Sequence, residues 1–539
     1  MAGFDFIVVG GGAAGCVLAA RLSENSANKV LLIESGGKDT DRYIHIPATF
    51  FKVIEKGVDV HFYASESEKG LNGRPSIVPQ GNVLGGGSSI NAMLYVRGQK
   101  QDYDTWAQMG CRNWSYDKVL PIFRDLEGNQ RLSGEYHGAA GPLKVSDRRY
   151  GHPLSWAFIR AAQEAGLPYN EDFNGPRQEG VGFYQTTTYE GRRRSSAQAF
   201  LRDAEGRANL VIMTGKRVHK VLFQGTHATG VLLEGGESFE ARREIMLSAG
   251  AIATPKLLQL SGIGDAAHLK SHGIDVVANL PGVGENYQDH LEATVQAEVD
   301  ILSLFGQDKG LAGLKHMLQY TLTKTGLLTS NVVECGGFVD TSGTGLPDLQ
   351  FHVLPTFIGF ADRQPEPGHG ISIGPCFLRP QSRGTVKLRS SNPKDPALFN
   401  ANSLSNLADL ETLVRGVELA IRITEAPSLA RIIKRRALPK PGVEKDPQAL
   451  RDYVRSFSKT VFHPAGTSKM GPPDDPMAVV GEDLRVRGVT GLRVADASVM
   501  PTLVSGNTNA PTIMIGERAA RFILEGEKQR SAGMTLLSA

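Results

Sequence analysis

Cysteine is scarce: the 539 residues hold four, Cys16, Cys111, Cys335 and Cys376, with no CxxC pair among them. That spacing offers no zinc site and no disulfide framework, and it fits a reducing compartment. Charge of one sign is equally scarce. Lysine plus arginine number 59 against 56 acidic residues, a formal net charge of +3, so the basic footprint of a nucleic-acid binder is missing. Two short basic runs, 192–194 and 434–436, read as solvated faces or structural turns. Long apolar runs are absent as well: no stretch approaches ~18 uninterrupted apolar residues. The first strand begins by about Asp5, which leaves no room for a charged and then apolar signal segment. The expectation is a soluble, cytoplasmic protein without a transmembrane segment, with peripheral contact at the inner face of a membrane left open.

What is present is a large apolar fraction, 41%. Single cores stop growing near about 250–300 residues, so two structural units are expected. At the amino end, the apolar run 6–9 leads straight into Gly10, Gly12 and Gly15 in GxGxxG spacing, and residues 16–22 read as the following helix. Such glycines allow a tight turn, close approach of backbone to pyrophosphate and tight packing of helix on strand, with the helix N-terminus facing the phosphates. A second apolar run, 30–33, ends in Glu34, about 20 residues beyond the glycines, where a carboxylate bonds ribose hydroxyls and repels a 2′-phosphate. The unit predicts a dinucleotide site and disfavours NADP. It does not distinguish FAD from NAD.

Two further stretches are more specific. Residues 81–91 carry Gly85, Gly86 and Gly87 before Ser88, Ser89, Ile90 and Asn91, and continue through Tyr95 and Gly98 to Asp104. This is too glycine-dense for an element interior, so the chain must pass close to something here. Residues 250–264 run Gly-Ala-Ile-Ala-Thr-Pro-Lys-Leu-Leu-Gln-Leu-Ser-Gly-Ile-Gly after a strand at 245–248, and read as a helix capped by Gly262. Both stretches resemble the two signatures of the glucose-methanol-choline oxidoreductases. The similarity extends to Leu280-Pro281-Gly282-Val283-Gly284-Glu285-Asn286 and to Val494-Ala495-Asp496-Ala497-Ser498. The resemblance implies FAD as the cofactor, with Gly10, Gly12, Ala14, Gly15, Glu34, Val83, Gly86, Asn91, Met93, Val218, Asp496, Ala497, Asn507 and Thr508 at its site. Ile90 stands where some choline-oxidising members carry a histidine bonded to the flavin; isoleucine cannot form that bond, so FAD is expected to be noncovalent.

The resemblance also implies a fold: α/β (α+β overall), a Rossmann-like FAD-binding domain, discontinuous in sequence, with an inserted substrate domain of antiparallel sheet plus helices. The expected parts are FAD-binding 1–150, substrate 151–200, FAD-binding 201–300, substrate 301–455 and FAD-binding 456–539. Within 301–455 the residues themselves give a helix near 311–322 and strands at 349–354, 371–378 and 385–388. The turn Gln381-Ser382-Arg383-Gly384 suits a hairpin between the last two. The helix near 311 is interrupted by Lys315, His316, Gln319 and Lys324, too short and too polar to span a bilayer, and is expected to be buried or a lid.

Among 13 histidines, His463 stands apart because Val461-Phe462-His463-Pro464-Ala465-Gly466-Thr467 resembles the family's catalytic histidine segment. Asn507 falls where the family has its second catalytic residue, with Asn509 as the alternative. Alcohol oxidation needs the hydroxyl proton to leave as hydride departs, and a neutral imidazole can take it. The resemblance implies that His463 is this base, that Asn507 holds the substrate oxygen and that hydride passes to flavin N5. Segments 331–334, 347–352 and 382–386 look like those of bacterial L-sorbose and broader primary-alcohol dehydrogenases, which pass electrons to a quinone or dye. The expected activity is therefore oxidation of a primary alcohol, with L-sorbose to L-sorbosone as the specific case. An oxidase using dioxygen on hydroxymethylfurfural or aryl alcohols is one alternative. A hydroxynitrile lyase, which keeps FAD without electron transfer, is another. A purely binding protein on the same fold is disfavoured by the His and Asn pair.

Overall fold

A computed structural model describes residues 3–359 and 364–538, with side chains up to 527. Two sheets organise the chain. In the first, the strand order is Leu210–Met213, Val30–Ile33, Gly3–Val9, Ser238–Leu247, His227–Leu233, Val218–Gln224, with Leu492–Val494 also paired to Ser238–Leu247. The strands around Gly3–Val9 run parallel. Their apolar stretches are buried on both faces, as continuous Val/Ile/Leu runs in a parallel sheet require. The helix Ala13–Leu22 covers this sheet and is itself covered by the carboxyl-terminal helix Asn509–Ser538. Their crossing is close: a Cβ on Gly516 would lie 2.7 Å from the carbonyl oxygen of Ala14.

The second sheet is antiparallel, in the order Ile433–Leu438, Val295–Val299, Gly370–Phe377, Leu349–Leu354, Cys335–Val339, Gly180–Phe183. Leu291–Ala293 and Ser458–Thr460 extend it. Side chains alternate across a strand, and this alternation decides what each face does. Leu349, Phe351 and Val353 join the core beneath the helices Pro153–Glu164, Leu407–Glu425 and Pro447–Phe457. Gln350, His352 and Leu354 point the other way, towards the large cavity between the two sheets.

Four expectations change. Strands Leu291–Ala293, Val295–Val299 and Ser458–Thr460 belong to the second sheet, so the divisions drawn at 300/301 and 455/456 cut through it. Those divisions followed the ends of motifs, whereas sheet membership is set by long-range hydrogen bonds. The turn 381–384 does not make the expected hairpin: Thr385–Lys387 pairs with Leu398–Asn400. Asp409 accepts the N–H groups of Gln381 and Ser382, and Gly384 bridges to Tyr287, which carries the chain away from the second sheet. The helix Gly310–Thr323 is not buried; Tyr320 is its one buried residue. Finally, the basic run at 192–194 is not a solvated face throughout, because Arg193 is buried.

Candidate active site

One cavity of about 1060 Å³ runs from the first sheet to the second. Its nucleotide end is built by the chain's glycines. Gly15 turns no side chain towards it; a Cβ there would stand 1.9 Å from the carbonyl oxygen of Gly10, so glycine lets the first helix seat against the end of the first strand. Gly86, at φ +51°, brings the loop 81–91 onto Gly12, leaving 2.8 Å between a hypothetical Cβ and Gly12 Cα. Glu34 is buried, and both its oxygens already accept backbone N–H groups: Gly11 to Oε2 and Gly36 to Oε1, each at 2.7 Å. Burial pushes this carboxyl up, and those two N–H bonds pull it back. Oε1 also accepts from Ser35 Oγ at 3.2 Å, so the lone pair left for a ribose hydroxyl is on Oε2.

Gly10, Gly12, Ala14, Gly86, Asn91, Met93, Val218, Asp496, Ala497, Asn507 and Thr508 all line the cavity with Glu34. Gly15 and Val83 do not: Val83 is packed with Ile44, Val53, Val60 and Ile90. Ile90 also reaches the cavity wall and presents only hydrocarbon there. Asp496 is tied to the scaffold by Gly250 N–H at 2.9 Å, Thr254 Oγ1 at 2.6 Å and Ser498 N–H at 2.8 Å. Asn91 is held by Arg193, whose guanidinium donates to Asn91 Oδ1 and O at 2.7 Å each, to Ser88 O at 3.0 Å and to Ile44 O at 2.7 Å. This buried arginine braces the glycine loop through its backbone.

At the other end His463 follows Phe462, which is held at φ +70°. Such a conformation is strained for an aromatic residue, and the surroundings impose it. Asp289 Oδ1 accepts the N–H of His463 and of His290 at 2.8 Å each, while its Oδ2 accepts Thr460 Oγ1 and Tyr287 OH. Burial raises the Asp289 carboxyl to about 6 despite these donors.

The histidine tautomers follow from the partners. His290 Nε2 is 3.1 Å from the carbonyl oxygen of Leu378, which can only accept. His290 therefore carries its proton on Nε2 and offers a lone pair on Nδ1. That Nδ1 lies 3.0 Å from His463 Nδ1, so His463 donates from Nδ1 and keeps its lone pair on Nε2. Asn507 Nδ2 stands 3.3 Å from this Nε2, and Asn507 Oδ1 accepts from Gln350 Nε2 at 3.0 Å, which orients the amide. Burial, then His290 and His352, hold the His463 imidazole well below its usual value, and burial takes His290 down to about 3. The pair is neutral, with one directed lone pair facing the cavity. Asn509 starts the last helix instead.

Sequence reasoning missed Asp289, His290 and Gln350. The signal for the first two was close at hand, three and four residues beyond Asn286 in the quoted motif. Gln350 and His352 lie in a quoted segment, but their facing needed the strand register. His352 Nδ1 meets Glu292 Oε2 at 3.2 Å, and Lys459 meets Glu292 Oε1 at 3.3 Å, so the buried carboxylate at this end is matched by two partners.

Models of the GMC oxidoreductase family match residues 4–292 and 380–516. The chain belongs to this family. A GMC relative, an alcohol dehydrogenase [acceptor] of Pseudomonas putida, is 44% identical over 97% of this chain and 96% of its own. Human mitochondrial choline dehydrogenase is 42% identical over 96% of this chain and 89% of its own. Among solved structures, pyridoxine 4-oxidase from Mesorbium loti superposes with a TM-score of 0.86 at 30% identity, covering 96% of this chain and 98% of its own. This GMC protein is an FAD-dependent alcohol dehydrogenase acting on CH–OH donors, as its family and relatives show.

The residues present fit FAD. At Gly12 a Cβ would meet nothing nearer than 3.8 Å, and at Gly87 and Gly250 nothing within 4 Å, so bare backbone faces open space along the cavity. The volume reaches the top of the range of about 300–1,000 Å³ typical of a small-molecule site, room for a dinucleotide with a small alcohol beside it. The first turn of helix Ala13–Leu22 has N–H groups without a side-chain cap, which would hold the pyrophosphate of the cofactor. Bound there, FAD supplies the acceptor for hydride.

Proposed function

We propose that this GMC dehydrogenase oxidises primary alcohols carrying an apolar chain, with His463 Nε2 as the base that takes the hydroxyl proton. The observation that carries this reading is the chain from Leu378 O through His290 to His463, which leaves one lone pair, on Nε2, facing the cavity beside Asn507. Asn507 Nδ2 donates to the substrate oxygen and holds it against Nε2. Removing the proton as the C–H bond breaks makes hydride departure easier, and a positioned base contributes about 10²–10⁴-fold.

The substrate class follows from the wall. Phe50, Phe51, Ile54, Leu354, Phe357 and Ile358 line the cavity. An L-sorbose molecule, the sugar suggested by segments 331–334, 347–352 and 382–386, would leave any hydroxyl set against these six hydrocarbon side chains without a partner, at a cost per group that favours an apolar chain. Choline, the substrate named for the human relative, is the competing substrate in the test: Glu292 is already matched by Lys459 and His352, but Phe50, Phe51 and Phe357 offer aromatic faces to a quaternary ammonium. For the acceptor, the Pseudomonas putida relative is named for an unspecified acceptor, and a quinone-like carrier is the reading that the admission of air tests against dioxygen.

The test is loss of visible flavin absorbance when FAD-loaded protein is mixed anaerobically with 1-octanol, L-sorbose or choline. Bleaching by octanol that persists in air supports the reading. Bleaching reversed at once by air would make the protein an oxidase, and bleaching by L-sorbose alone would restore the sugar. No bleaching by any alcohol would overturn the redox reading in favour of a lyase.

A further inference from the structure

The helix Gly310–Thr323 is amphipathic in the wrong sense for a globular protein. Leu311, Leu314, Leu318 and Leu322 are 86%, 65%, 58% and 72% exposed. At 3.6 residues per turn they fall within about 80° of arc, and Tyr320 lies on the opposite side. Tyr320 is the buried residue, and its hydroxyl donates to Gly191 O at 3.1 Å. The helix is thus anchored by its back and turns a leucine ridge outward. Leu302 and Phe305, a few residues before the helix, are exposed as well. Scattered exposed leucines are ordinary, but a contiguous patch of this kind marks an interaction surface.

We propose that this ridge docks the protein on the surface of an anionic lipid bilayer. Three observations select lipid as the occupant. The first is charge. Lys315 lies beside the ridge at 3.6 residues per turn and Lys309 precedes the helix, while Lys324 turns back with Nζ 4.4 Å from the centre of the Tyr320 ring; no acidic residue occurs between Lys309 and Val333. The nearest acid before it, Asp308, is paired with Lys52 at 3.2 Å. Lysines beside an apolar ridge are the composition of helices that lie in the headgroup region of anionic membranes.

The second is area. Four leucine side chains present on the order of 400 Å² of apolar surface, about half of the roughly 800 Å² per partner that a stable protein interface buries. A single ridge is too narrow for a second copy of this chain, whereas a bilayer accepts it at any width. The third is continuity with the cavity. Leu304 packs in one cluster with Phe50, Ile54, Leu354 and Ile358, all four of which line the cavity. Its N–H donates to Pro355 O at 2.9 Å. The ridge therefore adjoins the cavity's apolar wall. On the substrate reading above, docking sets that wall beside the phase in which an apolar alcohol dissolves. Among the described residues no helix is long and apolar enough to cross a membrane, so the contact is a peripheral one.

The experiment is flotation of FAD-loaded protein with phosphatidylcholine vesicles, with and without phosphatidylglycerol, for the wild type, L314E/L318E and K309E/K315E. The wild type is expected to float with the anionic vesicles, at least about ten-fold more than L314E/L318E. K309E/K315E is expected to lose the preference for phosphatidylglycerol. Flavin absorbance and turnover of a short, water-soluble alcohol with a soluble dye should be unchanged in both variants, which separates docking from folding and from the substrate reading. Failure of the wild type to float, or flotation of L314E/L318E at the wild-type level, would overturn the proposal. So would light scattering that shows a wild-type dimer reduced to monomer by L314E/L318E, which would give the ridge to a second copy.

Discussion

Replacing His290 by alanine removes the acceptor that holds the proton of His463 on Nδ1, while leaving His463, Asn507 and the nucleotide end in place. The bond lost is the 3.0 Å contact between the two Nδ1 atoms in a buried site. A buried N–H left without an acceptor costs about 1–3 kcal/mol. The imidazole avoids that cost by moving its proton to Nε2, where it would face the substrate as a donor and could no longer act as a base. At about 1.4 kcal/mol per factor of ten, the reactive tautomer should fall by about ten- to hundred-fold, and the rate of flavin reduction with it. The assay is anaerobic stopped-flow bleaching of FAD-loaded protein at saturating alcohol. His290→Asn returns an acceptor oxygen to the same place and should recover part of the loss at unchanged flavin content. Wild-type bleaching by His290→Ala, or equal loss in His290→Asn and His290→Ala, would refute the tautomer argument.

His463→Ala should slow flavin reduction by about 10²-fold or more without releasing FAD, read by the same bleaching assay. Because burial holds His463 well below 6.5, the acid limb of kcat/KM should lie below the pH where free imidazole titrates. Stability should follow the same groups. Unfolded His463 and His290 take up protons below about 6.5 and the folded ones do not, whereas folded Asp289, held up to about 6, binds a proton that the unfolded carboxyl gives up. The net excess is one proton in the unfolded state, so between about pH 6 and about pH 4 these three groups should lower stability by about 1.4 kcal/mol per pH unit, measured by denaturant midpoints. Arg193→Ala strips partners from three buried carbonyls and from Asn91 Oδ1 and should cost about 3–5 kcal/mol with reduced FAD content after purification. Gly15→Ala, whose Cβ would press on the Gly10 carbonyl, should fail to retain FAD, read as the flavin-to-protein absorbance ratio.

Much of the nucleotide end was legible in the amino-acid order because its determinants are local. A strand, three glycines, a helix N-terminus and a terminal carboxylate all fall within 34 residues, and at Gly10 and Gly15 the backbone leaves no room for a side chain. The glycine loop at 81–91 was legible for the same reason. Its brace was not: Arg193 lies 102 residues from Asn91, and in the sequence it is one of three consecutive arginines. The hairpin expected at 381–384 failed on the same ground. Turn residues specify a reversal of the chain, not the strand with which the next segment will pair, and here Asp409 and Tyr287 decided that.

The sequence by itself determined the family and the cofactor class and singled out His463 as the candidate base, through motifs whose spacing reflects short-range geometry. Only the tertiary structure decided which nitrogen of His463 faces the cavity, because that depends on Leu378 and His290, brought together from 85 to 173 residues away. It also decided which face of the second sheet turns to the cavity, since a strand's alternation gives two faces and packing chooses between them. The helix near 311 shows the same limit. Its leucine periodicity was readable, but whether that stripe looks inward or outward is set by what lies behind it, and Tyr320 on Gly191 turns it to the outside.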